Sequence, residues 1–487
     1  MSQTPNLKRN YIYKLIYEIL TLITPFITAP YVSRVLGADG IGIYSYTQSL
    51  MTYFTMFAAL GTASYGMREI AMCRDDKVEC SKKFWEIEFL TVLTSGVCLM
   101  AWMVLVFLSS SYKIFFVALI PSLLATMFDI SWFYTGLEKI GYTVFWNIIC
   151  KITGVACILL FIKDKDDLFL YILLNSGIIM LGNLSMWVFL PIMLVKANPR
   201  DIRLKHHFKE TLVYFIPTIA TSVYTVLDKT LIGFITKDNY QNGYYEQATK
   251  MINMAKTAVF VSVNSVMGAR ISYLFAGNKI DEIKRRINRS LDFILFLGYA
   301  AMFGIIAIAK DLVPIFFGDG YEPVIGLLYW MSPLIVIIGF SNCLGSQYYT
   351  PAGLRKQSAK YIVTGSIVNL CMNMILIPAL GSTGAVMGSI VAEVTISLLY
   401  IGHCGDYMTV DQIWRCSYKR ILAGMVMLAA IRLVSIFPMG AILLLGLEIV
   451  CGMCVYFVAL IILKDSMVFD LYGILKGKVC RNGRSKN

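Results

Sequence analysis

Residues 33–37 read SRVLG and residues 42–48 read GIYSYTQ; about 200 residues later the chain reads DKTLIG (228–233) and GYYEQAT (243–249). A third pair follows in the same order and at a similar offset. FYTGLEK (133–139) answers YYTPAGLRK (348–356), and each ends an apolar stretch holding an earlier proline, Pro121 and Pro333. Three matches in one order describe a chain built twice. Around them lie fourteen apolar segments, at about 11–35, 41–65, 84–108, 114–135, 143–162, 168–195, 209–236, 244–275, 288–309, 322–350, 357–377, 383–404, 418–437 and 440–463. A bilayer core offers the backbone no water, so each segment is expected to be a helix that satisfies its own hydrogen bonds. The repeat divides them into two six-helix lobes, 1–208 and 209–404, followed by 405–487 with helices 13 and 14 and a basic tail. An even number of spans per lobe makes both lobes run in the same direction. Their pseudo-twofold axis is then expected along the membrane normal, with the substrate path between them. The fold class read here is an all-α polytopic membrane protein of about 14 transmembrane helices.

Composition agrees. Of 487 residues 57% are hydrophobic and 15% charged, with a mean hydropathy of +0.68. Soluble globular chains carry about 45–50% apolar and roughly 25% charged residues. A soluble enzyme, a disordered chain and a disulfide scaffold are therefore excluded. The twelve cysteines sit mostly inside apolar runs. Cys451-Gly-Met-Cys454 has CxxC spacing but lies in mid-run, where packing is the better reading than redox chemistry. His206 and His207 are adjacent in a basic break and suggest no metal cluster. There is no Walker A pattern and no intramembrane His, Asp and Ser constellation, so neither ATP hydrolysis nor other enzymatic chemistry is expected, and no cofactor or metal. The first apolar run has no cleavage site behind it and is expected to stay as a span.

The net charge of +13 is explained by topology. With the breaks assigned alternately to two sides, the side holding the N-terminus receives 31 of the 43 Lys and Arg. The other side receives six (Arg34, Lys113, Lys163, Lys165, Lys237 and Lys310), and six fall within spans. The positive-inside rule makes the first side cytoplasmic, with both termini inside. No nucleic acid partner is needed. The stretch NKIDEIKRRINR (278–289) is read as a solvated loop of that side, with a lipid-binding interfacial helix as the alternative.

Ionisable residues inside spans are costly and usually face a cavity or a partner. Arg34 and Lys229 hold matching positions on the first helix of each lobe. Two cations facing one cavity make sense if an anion sits between them; snorkelling to the headgroups is the plainer reading for Arg34. Lys256 lies near the middle of its span, where snorkelling is harder. Arg34, Lys229 and Lys256 are thus the candidate cationic, substrate-binding residues. Glu18, Asp129, Asp228 and Glu393 are candidates for ion coupling. Glu246 and Lys250, four apart on one helix, are expected to pair. Pro25, Pro30 and Pro217 interrupt the first helix of each lobe and point to the moving elements or to static kinks.

The stretch PYVSRVLGADGIGIYSYTQS (30–49), the FYTGLEK element and the fourteen-span plan resemble the polysaccharide (O-antigen type) flippases of the multidrug/oligosaccharidyl-lipid/polysaccharide exporter superfamily. The resemblance covers essentially the whole chain. It implies transport of undecaprenyl-pyrophosphate-linked oligosaccharide from the inner to the outer leaflet of the bacterial cytoplasmic membrane. Two lobes would rock about a cationic cavity, coupled to an ion gradient, with proton and sodium both open. Membrane lipid, and a polymerase and glycosyltransferases of the same pathway, are the partners this implies. Within the matching SRVLG stretch, Arg34 carries over as a cavity cation. Three alternatives stay open: a lipid II flippase, a cation-coupled multidrug exporter of the same superfamily, and a non-transporting scaffold of a glycosyltransferase complex. The exporter predicts an acidic, aromatic cavity, which Arg34, Lys229 and Lys256 oppose.

Overall fold

The computed structural model describes residues 7–195, 204–277 and 279–470. Each of the fourteen apolar segments falls on helix, and no strand occurs among the described residues. By packing the chain forms two compact units, Met1–Glu246 and Gln247–Asn487.

The first unit opens with α1 (Leu7–Ala59), which carries two of the fourteen segments. They are separated at Gly37, whose φ of 68° and ψ of 176° are essentially restricted to glycine. A second break follows at Leu60 and Gly61, both at positive φ, before α2 (Thr62–Cys73). Asp76 then caps α3 (Lys77–Leu108), accepting from Val78 N and Glu79 N at 2.8 and 3.1 Å. The fourth segment is broken into α4 (Lys113–Ala118), α5 (Ile120–Met127) and α6 (Ser131–Gly136). Next come α7 (Ile140–Phe161), α8 (Leu168–Met186), the single turn α9 (Leu190–Met193) and α10 (Leu204–Thr236). The first turns of α11 (Asn239–Ala276) complete the unit. Its main core gathers Val32, Met51, Trp102, Phe116, Leu119 and Ile172, with the Trp102 indole donating to Phe116 O at 3.0 Å.

The second unit holds the rest of α11, then α12 (Ile280–Phe317), α13 (Glu322–Met331), α14 (Leu334–Leu344), α15 (Arg355–Leu380), α16 (Ser382–Gly402), α17 (Val410–Val434) and α18 (Ala441–Ile462). Phe296, Met427, Ile431 and Tyr456 form a core that joins α12, α17 and α18. Beside it Arg420 is fully buried, 2.6 Å from Asp292 and 3.2 Å from Asp465. This closed network ties the last two helices to α12.

Two differences from the sequence reading have clear physical causes. Residues 280–289 are not a loop but the first turns of α12, with Ile283 and Ile287 buried one turn apart and Glu282 paired with Arg286 at 3.0 Å. His207 lies on α10 rather than in a break. It is buried, with Nδ1 2.7 Å from Tyr65 Oη and Nε2 2.9 Å from Glu86 Oε2, so its polar atoms are satisfied inside the unit. By packing, the first unit runs on to Glu246, because α10 packs on α1, α2 and α3 and Gly243 at the start of α11 meets Ala38 on α1.

Among the described residues, nine helical stretches are long and apolar enough to cross a membrane, or ten if the pair Glu322–Met331 and Leu334–Tyr349, bent by 41°, is one span. The first of the nine contains two segments fused across Gly37. Large side chains such as Phe107, Leu108, Ile192 and Ile442 lie three-quarters or more exposed on the helices. A surface this apolar needs lipid around it. The chain is a multi-pass membrane protein.

Candidate functional site

The two copies of the repeated motif meet inside the first unit. A Cβ on Gly42 would lie 1.8 Å from Asn239 O, and one on Gly243 would lie 2.0 Å from Ala38 O. Each glycine thus admits the backbone at the start of the other copy, at a distance no side chain allows. The contact is reciprocal, and Ala38 pairs with Asn239 at the same sequence offset that relates Gly42 to Gly243. Asn239 is held further by Asp39, whose carboxylate accepts from its Nδ2 at 3.0 Å, and by the Tyr112 hydroxyl, which donates to its Oδ1 at 2.9 Å.

The same offset brings Ser45 to Glu246. Ser45 Oγ donates to Glu246 Oε2 at 3.0 Å, and the Lys229 ammonium lies 2.6 Å from that oxygen. The Glu246 side chain is 10% exposed and that of Lys229 23%. Asn242 fixes the lysine's helix by donating to Lys229 O at 2.9 Å. One residue earlier the buried Asp228 accepts from the Tyr245 hydroxyl. One residue later Thr230 Oγ1 donates to Ser49 Oγ at 2.9 Å. Tyr44 and Tyr171 meet edge to face at 5.1 Å and lie within electrostatic reach of Glu246. The result is a polar seam between the second half of α1, the end of α10 and the start of α11. At its centre is one cation held by one carboxylate.

The other candidates are dispersed. Arg34 is exposed on α1, three residues before Gly37. The anion beside Lys229 in this structure is Glu246, a group of the protein itself. Lys256 on α11 is half-buried and interacts electrostatically with the buried Glu393 on α16, so two candidates from different lists lie together in the second unit. Asp129 sits in the turn between α5 and α6, where Oδ1 accepts from Ser131 N at 2.9 Å. Glu18 lies on α1, and its side chain, like those of Pro217 and Arg270, is outside the described residues. Sequence reasoning missed Glu246 as the partner of Lys229, although Glu246 stands where Ser45 does in the other motif copy. It also missed Glu88, which lies in the third segment five residues after Lys83. Among the described residues, no group of three or more His, Cys, Asp or Glu could hold a metal ion.

A family model described as "Polysaccharide biosynthesis protein" matches residues 7–271, more than half of the chain, including both motif copies. The chain belongs to this family. Two curated relatives named "Putative O-antigen transporter" cover 81% of it: the Escherichia coli (strain K12) protein at 22% identity, over 96% of its own length, and the Shigella dysenteriae protein at 24%, over 99%. Among solved structures, the lipid II flippase MurJ in an inward closed conformation superposes with a TM-score of 0.69 at 17% identity, covering 94% of this chain and 99% of MurJ. The multidrug transporter DinF-BH gives 0.56 at 15% identity, covering 84% of this chain and all of the other. These likenesses establish the fold. The chain is thus a member of the polysaccharide biosynthesis protein family with the fold seen in MurJ and DinF-BH.

Proposed function

We propose that this protein is a flippase that moves undecaprenyl-pyrophosphate-linked oligosaccharide repeat units from the inner to the outer leaflet of the bacterial cytoplasmic membrane, for surface polysaccharide biosynthesis. Both termini lie in the cytoplasm, as the distribution of Lys and Arg favours. The observation that carries the reading is Lys229, a cation in a polar seam whose counter-ion is an exchangeable protein carboxylate. A pyrophosphate is doubly or more highly charged and accepts several hydrogen bonds, so it competes well with Glu246 for the ammonium. Release of Glu246 frees Ser45 and loosens the junction of the two motif copies. On the proposed orientation that junction lies toward the outer face and acts as the outer gate. Arg34 and Lys256 are further cations for the cargo.

The energetics support the direction. Each sugar hydroxyl stripped of water without a partner costs several kcal/mol, so unaided crossing is negligible and a hydrated path is required. An anion moving outward gains about 2.3 kcal/mol per net charge per 100 mV of inside-negative potential. Coupling to a proton or sodium gradient, with Glu18, Asp129, Asp228 and Glu393 as candidate groups, supplies the rest. The pathway's polymerase and glycosyltransferases are the proposed protein partners.

The test is flipping of a fluorescent undecaprenyl-pyrophosphate oligosaccharide in proteoliposomes, with lipid II as a parallel substrate. Wild type should flip the oligosaccharide, while Arg34→Ala and Lys229→Ala should fail although folded. Flipping that survives both changes would remove these cations from the substrate path. Transport of lipid II alone, or of neither lipid, would overturn the assignment.

A further inference from the structure

Glu88 on α3 is 2% exposed, and neither of its carboxylate oxygens has a hydrogen-bond partner among the described residues. The charged group that acts on it is a second acid, Asp129, half-buried in the turn between α5 and α6. Several titratable groups on the elements packed against α3 are engaged elsewhere. On α2, Arg68 donates to Tyr214 and Glu69 holds Lys83; on α10, His207 lies between Glu86 and Tyr65. The surroundings are aromatic. Phe84, one turn before Glu88, stacks on Trp132 at 5.5 Å, and Trp132, three residues after Asp129, is buried with its indole N–H unpartnered.

An ionised carboxylate at Glu88 would be buried, with no hydrogen-bond partner among the described residues, and would face a like charge. Each condition disfavours the anion, and the neutral acid escapes all of them. We propose that Glu88 is a proton-binding site, protonated in this conformation, and that with Asp129 it makes the transport cycle proton-dependent. The step is a plain acid dissociation. When α3 and the α5–α6 turn part, the Oε–H bond of Glu88 breaks, its electron pair stays on the carboxylate, and the proton passes to water by way of Asp129. The coupling half of this proposal rests on the transporter reading above; the protonation half does not.

Full-length protein in proteoliposomes decides both halves. Infrared spectra at neutral pH should show a protonated-carboxyl C=O band in wild type that is missing from E88Q. An imposed pH gradient should stimulate flipping by wild type and by E88D but not by E88Q, while melting temperature confirms that the variants fold. An unchanged band in E88Q would overturn the proton site, whatever the transport result. A lost band with gradient stimulation retained in E88Q would overturn the coupling role. The band is read without substrate, so a wild type that flips nothing counts against the transport reading and, with it, the coupling half, while the band alone still judges the proton site.

Discussion

Gly42→Ala probes whether the reciprocal glycine contact is what lets the motif junction close. The added Cβ would sit 1.8 Å from Asn239 O and 2.6 Å from its carbonyl carbon, whereas ordinary contact begins at 3.4 Å. The two backbones must therefore separate by about 1.6 Å along that line. Overpacking of this kind costs about 1–3 kcal/mol. A shift that large also stretches the Asn239–Asp39 and Ser45–Glu246 hydrogen bonds, both 3.0 Å, beyond useful range. Each is worth about 1 kcal/mol. Taken together, the closed junction loses about 3–5 kcal/mol, which moves a two-state equilibrium roughly 150- to 4,000-fold toward the open form. The assay is labelling of Ala38→Cys with a membrane-impermeant maleimide added outside, in a background without the exposed Cys371 and Cys454. Adding Gly42→Ala should speed labelling by at least about 150-fold and depress net flipping. Gly243→Ala should do the same, because it opens the junction from the other side. Labelling and flipping at the parent's rates, with melting temperature unchanged, would refute the reasoning.

Gly37→Ala meets nothing closer than Lys165 Cε at 3.9 Å, so its cost is purely conformational, about 1–3 kcal/mol, whereas Gly96→Ala in mid-helix should be neutral or slightly stabilising; thermal unfolding in detergent compares them. Glu246→Ala strands the largely buried Lys229 and should cost about 1–3 kcal/mol, discounted for the lysine's partial exposure. The double change to Lys229→Met and Glu246→Leu should restore most of it in a mutant cycle by thermal melts. Arg420→Met leaves two acids without their cation and should destabilise by about 3–5 kcal/mol, with Asp292→Asn and Asp465→Asn added to the same chain recovering much of the loss. Cysteines at the exposed Arg285 and Lys165 positions should be labelled from opposite sides of the membrane, Arg285→Cys from the cytoplasm only; labelling from the same side would undo the proposed topology.

Helix content and span positions were legible in the sequence because a bilayer leaves a long apolar segment a single backbone solution. The internal repeat was legible too, since the motif copies keep their order and spacing. Even the break at Gly37 lies where a glycine ends SRVLG, and the glycines of GIYSYTQ and GYYEQAT mark the junction they form. What one dimension hides is pairing between segments. Glu246 was read against Lys250 along its own helix; reaching Lys229 requires the turn that folds α11 back on α10. The basic run 280–289 reads as a loop until α12 buries Ile283 and Ile287 beneath it. Glu88 and Asp129 are two ordinary acids 41 residues apart in sequence, and only the packing of α3 against the broken fourth segment sets one against the other among aromatic side chains, with Glu88 buried. Local chemistry and the membrane determined which segments are helices; tertiary packing alone decided which charges meet, because burial is a property of the neighbours a residue acquires rather than of the residue.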